Sequence, residues 1–123
     1  MKFHHIGIAT KSLKTSLDFV NKNFEVINIS EEIFDENQDA TLQMIETKDL
    51  NIELVTGNVV DKLIKAKTTY YHICYEVEDI NEAIDNFKGA IVISEPKPAV
   101  LFDNREVAFL MTPLGLVELL NAN

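Results

Sequence analysis

Cysteine occurs once in these 123 residues, at Cys74, which excludes a disulfide framework. Arginine also occurs once, at Arg105, in a chain with 20 acidic residues and a net charge of −9. So acidic a surface repels phosphate backbones, and nucleic acid is excluded as an expected partner. An anionic small substrate needs a local basic spot, for which Lys88, Lys97 and Arg105 are the candidates beyond residue 70. No apolar run approaches the roughly 18 residues of a membrane span, and Met1-Lys2-Phe3 opens into a strand pattern rather than a leader. A cytoplasmic location with no membrane partner is therefore expected.

Hydrophobic residues make up 46% of the chain and charged ones 25%, values ordinary for a globular protein. The length suits a single domain, 1–123, and supports a core without help from a metal. Phe3–Ala9 mixes β-branched and aromatic residues and reads as a strand. Thr10 or Ser12 is the cap of a helix over Lys11–Phe24, with Leu13, Leu17, Val20 and Phe24 as its apolar stripe. Glu25–Phe34, Ala40–Glu46 and Asn51–Val55 read as three further strands. The pattern then repeats: strand Tyr70–Val77, helix Asp79–Phe87, and strands Ala90–Ser94, Arg105–Met111 and Leu116–Leu120, with Glu95-Pro96-Lys97-Pro98 stopping the first of these three. Residues 1–56 and 70–123 are thus two β-α-β-β-β modules joined by a linker over 57–69, and a period of about 65 residues points to duplication.

Each module opens on a strand histidine and closes on a strand glutamate: His5 and Glu53, then His72 and Glu118, 48 and 46 positions apart. A carboxylate in an apolar strand is costly to bury unless it is paired or ligates a cation. Glu53 lies between Ile52 and Leu54, and Glu118 between Val117 and Leu119. Two imidazoles and two carboxylates suit a divalent first-row ion, and Zn, Ni, Co, Mn and Fe all accept such N/O donors. His5, Glu53, His72 and Glu118 are therefore the expected metal ligands. Four protein donors leave two positions of an octahedral ion for two substrate oxygens. His4 falls on the face opposite His5, and Cys74 shares a face with His72.

His4-His5-Ile6-Gly7-Ile8-Ala9, Tyr71-His72-Ile73 with Glu76-Val77-Glu78-Asp79-Ile80, Asn104–Leu110 and Gly115-Leu116-Val117-Glu118-Leu119 resemble the vicinal oxygen chelate superfamily. Within it they look most like methylmalonyl-CoA epimerases, with glyoxalase I (lactoylglutathione lyase) next, and the likeness runs from Phe3 to Leu120. The resemblance implies an α+β fold of two βαβββ modules, of the glyoxalase/bleomycin resistance/dioxygenase type, forming a half-open barrel around a metal site. It implies a divalent cofactor (Zn, Ni, Co or Mn), a thioester or hemithioacetal substrate and a homodimer. Its ligand positions fall on His5, Glu53, His72 and Glu118. Glu53 favours the glyoxalase side, where some epimerases carry Gln, whereas the Glu-Pro-Lys-Pro turn and the Arg-x-Val-Ala-Phe-Leu strand are similar to epimerases. Such epimerases also carry a base glutamate on the third strand, and here that position falls on Leu42, or on Gln43 if the register slips by one. The resemblance accordingly implies catalysis by the metal-side glutamates, Glu118 first and Glu53 second, with Arg105 and Lys97 as weaker substrate contacts. The competing expectations are a dioxygenase, which typically uses two histidines and one glutamate, and a non-catalytic binding or resistance protein, which generally lacks the full ligand set.

Overall fold

The computed structural model describes residues 1–123. It divides into two compact units, His5–Tyr71 and Met1–His4 with His72–Asn123. In chain order the strands are β1 (Lys2–Ala9), β2 (Val26–Ile29), β3 (Ile33–Asp35), β4 (Ala40–Thr47), β5 (Asn51–Gly57), β6 (Tyr70–Val77), β7 (Ile91–Pro98), β8 (Glu106–Thr112) and β9 (Gly115–Asn121). The helices are α1 (Leu13–Asn23), α2 (Asp61–Lys65) and α3 (Ile80–Asn86). Nine strands and three helices make this a mixed α+β fold. No helix is long and apolar enough to cross a membrane.

In the unit of residues 5–71 the strand order is β2-β4-β5-β1, and β3 also pairs with β4. β1 and β5 run parallel, whereas β2, β3 and β4 are joined by antiparallel pairings. Ser12 caps α1, its side chain accepting from the Thr15 N–H at 3.2 Å. That satisfies one of the donors a helix start leaves open. Leu13, Leu17 and Val20 then pack on Ile6, Ile8, Ile45, Ile52 and Leu54, the residues that strand alternation turns toward the helix.

The other unit repeats the plan. Its order is β6-β9-β8-β7, with β6 and β9 parallel and the other two pairs antiparallel. Asp79 caps α3 by accepting from the Glu82 N–H at 3.1 Å. Ile80, Ala83, Ile84 and Phe87 cover Val77, Ala108, Leu110, Val117 and Leu119. In both units the helix lies on one sheet face and leaves the other for different work.

Two expected elements differ. The strand over Glu25–Phe34 is broken into β2 and β3, because the Ser30 hydroxyl accepts the Met44 N–H at 2.9 Å in place of a backbone partner. β7 does not stop at Glu95-Pro96 but continues to Pro98. It pairs only with β8, with a register shift between Ser94 and Lys97, and a bulged edge strand tolerates proline.

Candidate metal centre

In the parallel ladder of β1 and β5, Gly7 is the Cα partner of Glu53. His5 stands two residues before Gly7 and so on the same face, the one turned away from α1. Its Nε2 lies 3.8 Å from Glu53 Oε1, and both side chains are buried, at 0% and 1% exposure. The ladder of β6 and β9 reproduces this arrangement. Cys74 is the partner of Glu118, His72 stands two residues before Cys74, and His72 Nε2 lies 3.2 Å from Glu118 Oε1. Both of these side chains are also buried, and the edge of the Phe109 ring meets His72 with centroids 5.5 Å apart.

The donor chemistry fits a divalent ion. With metal–ligand bonds of about 2.1 Å, an N and an O on one ion lie about 3.0 Å apart at a right angle and about 3.4 Å apart at a tetrahedral angle. The 3.2 Å pair falls between these limits, and the 3.8 Å pair corresponds to a wider bond angle. Burying an imidazole and a carboxylate together is expensive without a counter-charge or coordinating ion. Each unit therefore presents one buried N/O donor pair, built by the same two strands at the same register offset.

The pairing of β4 with β5 settles what the third strand offers. Met44 is opposite Glu53 and Leu42 opposite Val55, so Ala40, Leu42 and Met44 share the face of His5 and Glu53. Gln43 lies on the helix face, where its Nε2 donates to the Ser30 carbonyl at 3.0 Å. The carboxylate β4 brings to that face is Glu46, which pairs with Asn51 and is exposed, while positions 40, 42 and 44 are apolar.

The remaining expected residues sit elsewhere. Arg105 is half-buried, with Nη1 donating to Glu76 Oε2 at 3.1 Å and to the Ala122 carbonyl at 3.3 Å. Lys97 is exposed on β7. His4 is half-buried, with the Phe102 ring edge-on at 5.5 Å between centroids. Cys74 is fully buried beside Glu118. The residue that sequence reasoning passed over is Glu76. It lies four positions after His72 on the same strand, so its shared face was available from alternation alone.

A family model described as glyoxalase/bleomycin resistance protein/dioxygenase superfamily matches residues 4–109, most of the chain. The chain belongs to that superfamily. Among superfamily relatives, it is 28% identical over 116 residues to the mitochondrial methylmalonyl-CoA epimerase of Dictyostelium discoideum, covering 89% of this chain and 69% of that protein. Among solved structures, a hypothetical protein from Bacillus halodurans C-125 is similar at 26% identity, with a TM-score of 0.77 and coverage of 99% and 94% of the two chains. The methylmalonyl-CoA epimerase of Mycobacterium tuberculosis shares the superfamily fold at a TM-score of 0.81, with 16% identity and coverage of 99% and 88%.

Proposed function

We propose that this chain is a divalent-metal-dependent enzyme that moves a proton on the carbon next to a chelated carbonyl. In this reading His5, Glu53, His72 and Glu118 hold one ion. The observation that carries it is the repeated buried histidine–glutamate pair, each made across a parallel two-strand ladder at the same offset. The name of the Dictyostelium relative supports a methylmalonyl thioester as substrate. The apolar residues at positions 40, 42 and 44 of β4, level with Glu53 and beyond it, favour the lyase-like alternative, with a thiol hemithioacetal as substrate.

A divalent ion held by these residues supplies positive charge that polarises a chelated carbonyl and makes the neighbouring C–H acidic. Glu118 is the proposed base: its carboxylate takes the proton from that carbon and returns it. Val107, Phe109 and Leu120, buried on the same face, keep bulk water away from it. Glu53, in the equivalent position of the other module, is the second proton carrier. With Leu42 and Met44 apolar, β4 contributes shape rather than proton transfer.

The deciding experiment is a paired exchange assay in D2O on protein loaded in turn with Zn, Ni, Co and Mn. Deuterium entering methylmalonyl-CoA selects the epimerase form. Deuterium entering the product of a methylglyoxal–thiol adduct selects the lyase form. Protein that binds less than about a tenth of an equivalent of every ion, and exchanges neither compound, refutes the proposal.

A further inference from the structure

The two modules fill one row of their sheets with opposite chemistry. In the second module His72 pairs with Leu116, Leu116 with Met111, and Met111 with Ile91, so these four lie side by side on the face that carries Glu118. In the first module Asn51 precedes Ile52 as His5 precedes Ile6, the ladder partner of Ile52. Asn51 then pairs with Glu46, and Glu46 with Asn28. Leu116, Met111 and Ile91 are thus the counterparts of Asn51, Glu46 and Asn28. The hairpin tips extend the match. Thr47 and Thr112 each accept from the N–H two residues on and donate to the carbonyl three residues on, which makes Leu114 the counterpart of Asp49.

Four positions are therefore polar in one module and apolar in the other. Burial does not explain the difference. Leu116 and Asn51 are both half-buried, and the other three positions are exposed in both modules. Ile91 is 68% exposed, Leu114 69% and Met111 44%, although the row ends on fully buried His72. The same turn and register form around asparagine, glutamate and aspartate, so folding does not require apolar side chains here. Single apolar residues on a surface are ordinary, but these four are contiguous and lead to a candidate metal ligand.

We propose that this row is a subsite for an alkyl or aryl substituent, larger than methyl, on the compound chelated beside His72. The inference rests on the proton-transfer reading for the chelated end and adds the chemistry of the group attached to it. Continuity selects a ligand tail as the occupant. Leu116 is the ladder neighbour of His72, so a substituent leaving a chelated carbonyl meets apolar surface at once. That surface continues across three strand spacings, about 14 Å at about 4.8 Å each, to Ile91 at the sheet edge. Area argues against a second copy of the chain. Four partly exposed side chains offer on the order of a few hundred Å², short of the roughly 800 Å² per partner of a stable interface.

The test is calorimetric binding of acetohydroxamate and octanohydroxamate, bidentate chelators that differ by a run of methylenes, to Co-loaded protein. Full burial of a CH₂ is worth about fourfold in affinity and one-sided contact about twofold, so octanohydroxamate should bind about 60-fold more tightly. Ile91→Asn, Met111→Glu and Leu114→Asp each install the residue that the first module carries at the equivalent position. Each should lower the ratio of the two affinities by about threefold, and the triple variant should bring it below about fivefold, with acetohydroxamate binding unchanged. Equal binding of the two chelators by the wild type, or an unchanged ratio in the triple variant, overturns the subsite. So does a wild type that sediments as a dimer and becomes a monomer in Met111→Glu, because a second copy then covers the row. Protein that takes up no ion but still binds octanohydroxamate in a Met111-dependent way leaves the subsite standing and refutes the proton-transfer reading. Ion-loaded protein that exchanges substrate protons yet binds both chelators equally does the reverse.

Discussion

Met44 is the ladder partner of Glu53, and this pairing puts Leu42 two residues along on the same face. Leu42 is 1% exposed, so a side chain there has no route to water. Leu42→Glu should therefore lower stability by several kcal/mol, the cost of burying a charge without a matched partner. The same substitution should raise deuterium entry into methylmalonyl-CoA by about tenfold or more, because a further base then lies on the face of His5 and Glu53. Thermal unfolding and the exchange assay read the two effects separately.

His72→Ala removes one imidazole from a buried pair. The expected result is a loss of bound ion of at least about tenfold, with far-ultraviolet circular dichroism unchanged, because α3 packs its core on the opposite sheet face. Glu118→Gln keeps an oxygen donor but no longer takes a proton, so it should retain part of the ion while exchange falls by about 10²–10⁴-fold. Elemental analysis distinguishes the two variants.

Gly57 has φ +136°, and a Cβ built there lies 2.8 Å from the Asp39 carbonyl oxygen and 2.9 Å from the Ala40 Cα. Both obstacles are backbone and cannot swing aside. Gly57→Ala should cost about 1–3 kcal/mol of stability in denaturant unfolding.

On α1, Lys14 donates to Asp18 Oδ2 at 2.9 Å. This hydrogen bond, then the charge of Lys14, holds the Asp18 carboxyl below its ordinary value of 3.8. A depressed carboxyl contributes stability above its unfolded pKa and loses it as pH falls through the folded one. Lys14→Gln should move the Asp18 titration, followed by NMR, back up toward 3.8. Both groups are exposed, so unfolding at pH 7 should not change measurably.

Much of this was legible in the residue order. The repeated strand–helix–strand pattern, the Ser12 cap and the apolar stripes Leu13-Leu17-Val20 and Ile80-Ala83-Ile84 follow from local periodicity, and the structure carries them within a residue or two. The break at Ser30 and the continuation of β7 through Pro96 were not legible. Each depends on a strand distant in sequence, β4 in the first case and the unpaired edge in the second.

Side-chain alternation is a property of the strand itself, so sequence alone assigned His5 with Gly7, His72 with Cys74, and each glutamate to its own alternating set. It could not say which strands lie side by side. That Glu53 faces Gly7, that Leu42 rather than Gln43 joins its face, and that Lys97, Val107, Leu120 and Glu76 form one row were decided by register in the tertiary structure. A one-residue slip reverses every face of a strand, and only hydrogen bonds between strands far apart in the chain prevent it.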